Sequence, residues 1–126
     1  MRLTIAAVGS RGDIQPMLVV AEAARRRGHE VVFCAPPNFS KWVTSHGFEF
    51  HPLGDDIQAW LDANKAYLSG HPVRILRGMQ AFIREQLAHQ FDQLPGPAKG
   101  SDAIVFAGLA FAAPSVAELH GIPRLG

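Results

Sequence analysis

The feature that most constrains the fold is the N-terminal stretch, where an apolar run leads into a glycine-rich turn and then into a helical pattern. The apolar run covers Arg2–Val8, the turn reads GSRGD over residues 9–13, and Ile14 opens the helical pattern. A buried strand that feeds a helix through such a turn is typical of an open α/β sheet, in which ligands bind at the carboxyl ends of the strands. Residues 9–13 are therefore the first place to look for chemistry.

Composition indicates one domain and excludes two classes of partner. The chain has 126 residues, of which 48% are hydrophobic and only 18% are charged. This is the size of one ordinary domain, and the composition predicts a rather apolar surface of the kind that a partner covers. Lys and Arg number 12 and Asp and Glu number 11, for a net charge of +1. We therefore expect neither nucleic acid nor an anionic membrane as a partner.

Cysteine content and hydropathy bear on the location of the protein. Cys34 is the only cysteine, so the chain forms no intramolecular disulfide, and a reducing cytoplasm fits. The apolar N-terminus is too short and too soon interrupted for a signal peptide, and no later apolar run approaches the roughly 20 residues of a membrane-spanning helix. We therefore expect a cytoplasmic protein without a membrane span.

Hydrophobic periodicity alternates between strand-like and helix-like segments along the chain. The predicted strands cover residues 2–8, 29–35, 48–53 and 102–108, with a fifth beginning at 122, and the predicted helices cover residues 14–27, 38–45, 72–94 and 111–120. The segment after residue 53 is predicted to be the least regular. This alternation predicts an α/β fold, a Rossmann-like open, mostly parallel sheet with helices on both faces.

Two of the predicted helices carry apolar residues at helical spacing, which we expect to face the core. In the first helix they are Met17, Val20, Ala21 and Ala24. In the long helix they form a stripe of six residues: Leu76, Met79, Ile83, Leu87, Phe91 and Leu94.

The glycine-rich turn does not satisfy the common nucleotide-binding motifs. A dinucleotide fingerprint would place further glycines at Arg11 and Ile14, and an acidic residue would end the second strand, which instead ends in Cys34 and Ala35. A Walker loop would need Gly-Lys-Ser or Gly-Lys-Thr after the turn, and the sequence has neither there.

Arg-Gly-Asp at residues 11–13 is a cell-adhesion tripeptide, but it is common by chance, and its place between a strand and a helix argues against adhesion.

The histidines do not predict a metal site. None of the six forms a ligand pair at i, i+4 with a third partner, and the single cysteine adds nothing. We therefore expect no metal and interpret the histidines as surface or capping residues.

Asp13 is the residue of the turn that matters most for chemistry, and it has two interpretations. An aspartate just before a helix is a preferred N-cap, whose carboxylate accepts a hydrogen bond from an amide of the first turn. A carboxylate at the mouth of a ligand cleft is also suited to act as a general base that takes a proton from a substrate hydroxyl. The helix dipole stabilises the carboxylate and so weakens it as a base, but the two roles can coexist.

Five short segments carry a family resemblance: GSRGDIQP at 9–16, RGHEV at 27–31, APP at 35–37, DAIV at 102–105 and GIP at 121–123. Together they closely resemble the N-terminal domain of GT-B glycosyltransferases. The chain is most similar to the group that contains the bacterial natural-product (glycopeptide, macrolide and polyketide) glycosyltransferases and the sterol glucosyltransferases. The resemblance covers essentially the whole chain, although residues 55–94 match only in architecture.

The resemblance implies a two-domain enzyme of which residues 1–126 are the N-terminal, acceptor-binding domain. A C-terminal domain, absent from this chain, would bind most of a nucleoside-diphosphate sugar. Such enzymes displace the diphosphate directly, with inversion at the anomeric carbon, and need a base for the acceptor hydroxyl. No cofactor and no metal are implied besides the donor sugar.

The matching positions assign roles to the residues of the turn. Asp13 takes the role of the base, and the residues before it line the sugar side of the cleft: Gly9, Ser10, Arg11 and Gly12. Many relatives carry a histidine near this loop, whereas this sequence has none there, so the resemblance leaves the activation of Asp13 unexplained.

The irregular segment and the long helix are where the resemblance implies that a small-molecule acceptor binds. The residues suited to a flat apolar surface are Trp60, Tyr67, Met79 and Phe82. The alternative is that Met79 belongs to the core stripe and that Trp60 packs a loop. Three residues at the tip of the fourth strand are second-rank candidates for the same cleft: Phe106, Gly108 and Phe111.

The chain by itself is expected to be inactive as a transferase, and its interrupted fifth strand predicts an exposed apolar edge and self-association.

Two alternative functions remain open. One is a stand-alone α/β domain that binds a nucleotide or other ligand without catalysis, which tight binding of NAD or a nucleotide would favour. The other is one subunit of a split transferase, which copurification of a donor-binding subunit would favour.

Overall fold

The structure is a computed structural model that describes residues 1–65, 69–108, 110 and 112–125. The elements within those residues are, in chain order, β1 Arg2–Val8, α1 Arg11–Arg26, β2 Glu30–Ala35, a 3-10 turn at Pro37–Phe39, α2 Ser40–Ser45, β3 Glu49–Pro52, α3 Ile57–Ala63, α4 Pro72–Gln93, α5 Pro95–Ala98, β4 Ala103–Gly108, α6 Ala113–Leu119 and β5 Arg124–Leu125. The predicted alternation of strands and helices is confirmed. Helix α3 lies within the segment that was predicted to be irregular.

The five strands form one parallel sheet in the order β3-β2-β1-β4-β5, which confirms the predicted Rossmann-like architecture. At the centre of β1, Ile5 is level with Phe33 of β2 on one side and with Val105 of β4 on the other. The chain builds outward from β1 to β3 and then returns to the other side of β1 for β4. The carboxyl ends of β1 and β4 therefore form a topological switch point, where open sheets of this kind bind their ligands.

Helices cover both faces of the sheet because β1 is apolar on both of its faces. Ile5 packs on one face against Ile14 and Leu18 of α1. Val8 belongs to the core on the opposite face, together with Leu94 and with residues of α5 and α6. A strand that is buried on both faces requires such an apolar run without alternation. The two cores hold the sheet and leave its carboxyl edge available for a site.

Helix α1 begins at Arg11, three residues before the predicted start. Ser10 is its extended N-cap, and Asp13 at the third helical position accepts a hydrogen bond from the Ser10 amide as part of a capping box. The interpretation of Asp13 as the N-cap is therefore wrong, because the cap lies upstream at Ser10. The buried residues of the helix are Ile14, Leu18, Ala21 and Ala24, whereas Val20, predicted to face the core, is exposed.

Helix α4 has nearly the predicted bounds but not the predicted orientation. Four members of its apolar stripe are exposed rather than buried: Leu76, Met79, Ile83 and Phe91. The buried side chains of the helix are instead Gln86 and Gln90. The helix contacts loops whose backbone amides need hydrogen-bond acceptors, so polar side chains turn inward. Leu94, the residue after the helix, is buried as predicted.

Helix α4 is 22 residues long, which is long enough to span a membrane, but it is too polar to do so. It carries four charged residues between positions 74 and 85: Arg74, Arg77, Arg84 and Glu85. Among the described helices, none combines the length and the apolar character needed to cross a bilayer.

Candidate active site at the carboxyl edge of the sheet

The carboxylate of Asp13 is held at the start of α1, next to the end of β1. Its Oδ2 accepts hydrogen bonds from the Ser10 amide at 2.9 Å and from the Ser10 hydroxyl at 3.3 Å. Its Oδ1 accepts no hydrogen bond from any residue that the structure describes. The side chain is half-buried, and the positive end of the helix dipole stabilises its charge. Ser10 thus holds the capping carboxylate through Oδ2.

Two glycines make room for this carboxylate at the switch point. A Cβ atom at Gly9 would lie only 2.7 Å from Asp13 Cγ, so any side chain there would overlap the carboxylate. A Cβ atom at Gly108, the last residue of β4, would lie 3.3 Å from the same Cγ and would collide with the carbonyl oxygen of Val8. Gly108 also has a φ of +64°, which favours glycine. The structure therefore brings Gly9, Ser10, Asp13 and Gly108 together between β1 and β4.

An open cleft of about 380 Å³ lies beside the turn, on the side of β2. Its lining residues are Gly9, Ser10, Arg11, Asn38, Phe39, Asp56 and Leu61. The Arg11 guanidinium lies 4.8 Å from the centre of the Trp42 ring, which it covers. Asp13 is not among the lining residues, because its carboxylate lies over Gly9 and faces Gly108 on the β4 side. The cleft and the carboxylate are thus on adjacent sides of the same turn.

Four residues of the cleft were not singled out from the sequence: Asn38, Phe39, Asp56 and Leu61. Asp56 is the clearest of these omissions. Its Oδ1 accepts a hydrogen bond from the Ala59 amide at 3.0 Å and so caps α3. Residues that follow parallel strands meet at one edge of the sheet. The positions of these four residues, just after β2 and β3, therefore indicated that they lie at the carboxyl edge beside the glycine-rich turn.

Two glutamines of α4 hold the loop that follows β3. Gln86 Oε1 accepts a hydrogen bond from the Asp55 amide at 2.9 Å, and Gln93 Oε1 accepts one from the Gly54 amide at 2.7 Å. The Gln86 side-chain amide also donates to the Asp55 carboxylate at 2.6 Å. Partly buried backbone amides in a loop need such partners, so these bonds fix the loop against the helix.

A third glutamine holds the loop that follows β4. Gln90 is fully buried, and its Oε1 accepts a hydrogen bond from the Ala112 amide at 3.1 Å. Phe106 on β4 is half-buried and packs against the core that contains α5 and α6, and it is not among the residues that line the described cleft. The predicted candidate Phe111 lies outside the described residues.

The proposed acceptor residues are brought together by α3 and α4. The rings of Trp60 and Phe82 are stacked, with centroids 4.3 Å apart and planes inclined by 30°. Met79 lies one turn before Phe82 and is 48% exposed, so the alternative that placed it in the core is wrong. Trp60 joins two helices rather than packing a loop alone. Tyr67, the fourth predicted residue, lies outside the part of the chain that the structure describes.

The single cysteine is not a candidate nucleophile. Cys34 is buried in the core on the β1 face that α5 and α6 cover. Burial raises the pKa of its thiol to about 12, and the Glu49 carboxylate is the second cause. Only the thiolate is reactive, so the protonated thiol is inert at neutral pH.

Three side chains with metal-ligating atoms converge at the loop after β3. Asp55, Glu85 and His89 each place one such atom within 4.8 Å of the others. Glu85 and His89, a glutamate and a histidine four residues apart on one helix, do not form the histidine pair from which a metal site was expected, so the sequence did not predict this cluster. Residues at i, i+4 lie on the same helical face, and this spacing was the available signal.

Comparison with known proteins identifies the family of the chain. Residues 3–125 match the glycosyltransferase family 28 N-terminal domain. The chain belongs to this family. Glycosyltransferase GtfE and a vancomycin aglycone glucosyltransferase, both from Amycolatopsis orientalis, are each 37% identical to it over 126 residues. A sterol 3-beta-glucosyltransferase from Arabidopsis thaliana is 32% identical over 132 residues.

This family 28 chain spans only a part of its relatives. Each of the three alignments covers 98% of the chain, but only 29% of either Amycolatopsis protein and 21% of the Arabidopsis protein. The relatives therefore contain a large region that has no counterpart here.

Solved glycosyltransferases share the fold of this family 28 chain. The calicheamicin glycosyltransferase CalG4 superimposes with a TM-score of 0.79 at 17% identity, over 98% of this chain and 31% of CalG4. The Streptomyces sp. SF2575 glycosyltransferase SsfS6 gives a TM-score of 0.71 at 24% identity, over 98% of this chain and 38% of SsfS6. At these identities the likeness shows the fold alone, and it confirms the resemblance to GT-B enzymes.

Proposed function

We propose that this chain is the acceptor-binding part of an inverting glycosyltransferase, which transfers a hexose from a nucleoside-diphosphate sugar to a hydroxyl of a lipophilic small molecule. The observation that carries the proposal is the position of Asp13, a carboxylate that Ser10 holds at the switch point between β1 and β4. Membership of glycosyltransferase family 28 and the activities named for two relatives, on the vancomycin aglycone and on a sterol, support the reaction class.

Asp13 acts as the general base of the transfer. Its carboxylate takes the proton of the acceptor hydroxyl while the hydroxyl oxygen forms a bond to the anomeric carbon of the donor. The bond from that carbon to the diphosphate oxygen breaks, and the electron pair leaves with the diphosphate. Attack from the side opposite the leaving group inverts the anomeric configuration. Ser10 orients the base through its two hydrogen bonds to Oδ2.

The glycine-rich turn contacts the sugar side of the cleft. Gly9, Ser10 and Arg11 line the cleft beside Asp13, and the backbone of Gly12 is exposed next to them. The Arg11 guanidinium presents donors and a positive charge, which suit a phosphate oxygen of the donor. Its contact with Trp42 limits the positions that the long side chain can adopt.

The acceptor lies on the side of α3 and α4, where the surface is apolar. Leu61 of α3 lines the cleft, and the adjacent Trp60 stacks on Phe82 of α4. Met79 extends this apolar surface along α4. Flat lipophilic molecules bind to surfaces of this kind, where a few polar groups fix their orientation. Asp56, which also lines the cleft, is such a polar group.

The donor is bound mainly by a region outside this chain. The chain covers 29% of GtfE, and the proposed C-terminal domain would supply most contacts to the nucleoside diphosphate. The chain alone is therefore expected to bind nucleotides weakly and to lack transferase activity.

Replacing Asp13 by asparagine in the full-length protein tests the proposal. We expect turnover to fall by about 10²- to 10⁴-fold, because an amide cannot take up the proton. The assay uses a nucleoside-diphosphate glucose as donor and a panel of flat lipophilic hydroxyl compounds as acceptors. Asp92→Asn is a matched control, because Asp92 is exposed on α4 and has no ion pair within the described residues.

The stability of the same variants separates catalysis from helix capping. Loss of the capping carboxylate is expected to cost α1 about 0.5 to 2 kcal/mol, which thermal unfolding measures. Near-normal turnover of Asp13→Asn would remove Asp13 from the mechanism. Tight binding of NAD or a nucleotide by the chain alone would instead favour a binding domain without catalysis.

A further inference from the structure

A cluster of three side chains joins α4 to the loop after β3, apart from the turn that carries Asp13. His89 Nδ1 lies 3.0 Å from Asp55 Oδ2, and Glu85 lies one helical turn before His89 on the same helix. One ligand atom from each of the three residues lies within 4.8 Å of the other two. A nitrogen and two carboxylate oxygens therefore lie close together.

Within the described part of the chain, no lysine or arginine forms an ion pair with Asp55 or Glu85, and Glu85 has no hydrogen-bond partner. Two carboxylates at close range repel each other, and within the described residues the His89 imidazole contacts only Asp55, so a cation between the two carboxylates would lower this repulsion. The pair formed by His46 and Glu22 differs in this respect, because Arg26 lies 3.8 Å from the same glutamate.

The surroundings of Asp55 orient its carboxylate in the way that metal sites require. The Gln86 side chain both donates to Asp55 Oδ2 at 2.6 Å and accepts from the Asp55 amide at 2.9 Å. Gln86 is buried, so its position is fixed by packing. Hydrogen bonds to a ligating carboxylate set its direction and contribute to metal affinity.

We propose that Asp55, Glu85 and His89 bind one divalent transition-metal ion, for which Zn²⁺ is the best match. Imidazole nitrogen with carboxylate oxygen is a donor set that suits such ions. The 3.0 Å contact between His89 Nδ1 and Asp55 Oδ2 is a hydrogen bond in the structure, and the ion would take the place of its proton. All three residues are at least partly exposed, so water completes the coordination.

The ion would secure the loop that borders the cleft. Asp55 is followed directly by Asp56, which lines the cleft and caps α3. A metal that links Asp55 to α4 therefore holds this part of the cleft in place. The ion is a positioning element, and no step of the proposed transfer passes through it.

Isothermal titration calorimetry of the EDTA-treated chain with ZnCl₂ tests this proposal. We expect one Zn²⁺ per chain, and we expect His89→Gln and Glu85→Gln each to weaken binding by at least about tenfold, since even indirect partners of a metal contribute that much. His51→Gln is the matched control: His51 also faces a carboxylate, that of Glu49 at 3.5 Å, but has no third ligand among the described residues. Its affinity for Zn²⁺ should equal that of the unaltered chain.

A second measurement keeps the test valid if His89→Gln folds poorly. Glu85→Gln breaks no described hydrogen bond, so this variant should fold normally, and its loss of affinity would report coordination alone. Zn²⁺ should raise the melting temperature of the unaltered chain and of His51→Gln but not that of Glu85→Gln. Absence of Zn²⁺ binding by the unaltered chain, or equal affinity in Glu85→Gln and the control, would overturn the proposal.

Discussion

Helices α1 and α4 carry similar apolar patterns but attach to the sheet in opposite ways. Helix α1 packs Ile14 and Leu18 into the core against β1, so its contact with the sheet is apolar. Helix α4 leaves Leu76 and Met79 exposed and directs Gln90 into the protein, where it accepts a hydrogen bond from the loop after β4.

The difference follows from what each helix covers. Helix α1 leaves β1 through a two-residue turn and lies on an apolar face of the sheet. Helix α4 contacts the loops at the carboxyl edge, where Gly54, Asp55 and Ala112 have backbone amides without a strand partner. Hydrogen bonds are directional, so they fix these loops at the site. An amphipathic pattern thus identifies a face of a helix without saying whether that face is covered.

The largest expected effect separates the two helices by burial. Ile14→Ala in α1 should lower the free energy of unfolding by about 2 to 5 kcal/mol, because it leaves a cavity in the core. Leu76→Ala in α4 should change it by no more than about 0.5 kcal/mol, because Leu76 is 58% exposed. Urea unfolding of both variants measures the two values. Equal losses would mean that the apolar stripe of α4 is covered in solution.

The next effect tests the polar attachment of α4. Gln90→Leu keeps the size of the side chain but leaves the Ala112 amide unpaired, which should cost about 1 to 3 kcal/mol. The control is Gln80→Leu on the exposed side of the same helix, for which we expect no measurable loss. If Gln90→Leu were as stable as the control, packing rather than hydrogen bonding would hold α4 in place.

A third effect uses Cys34, which lies in the core on the α5 and α6 side. Its folded pKa of about 12 exceeds the usual value of 9.0, so above pH 9 the unfolded chain loses a proton that the folded chain retains. The stabilisation is complete below pH 9 and falls by about 1.4 kcal/mol per pH unit as the pH rises toward 12. Unfolding of the chain and of Cys34→Ala across this range should show the extra slope only in the former. The same slope in both would mean that the thiol is accessible.

The smallest effect on stability concerns the exposed stripe of α4. A double variant replaces Met79 and Ile83 by glutamine. Each of the two substitutions should contribute no more than about 0.5 kcal/mol to the change in unfolding free energy, because neither residue is buried. The change should reduce self-association, which sedimentation velocity measures. Val19→Gln on the exposed side of α1 is the control. Unchanged association would place the self-associating surface elsewhere, such as the edge at β5.

The sequence by itself determined the fold class and the position of the glycine-rich turn in the fold. The near-continuous apolar run within Arg2–Val8 predicted a strand buried on both faces, and glycines and prolines marked where elements end. The turn at residues 9–13 followed this predicted strand, so its residues had to lie at the carboxyl edge of the sheet. These inferences succeeded because they depend on neighbours along the chain. The start of α1 was misplaced because Ser10 and Asp13 both favour the first turn of a helix, and only the capping box decides between them.

Tertiary structure alone decided how α4 is oriented and which residues meet at the cleft. Periodicity shows that Gln86 and Gln90 share a helical face, but not that this face contacts loops with unpaired amides. The meeting of Asp55 with His89, 34 residues apart in sequence, depends in the same way on how the loop after β3 packs against the helix. Contacts between distant segments follow from the packing of the whole domain, and a local pattern in the sequence does not contain them.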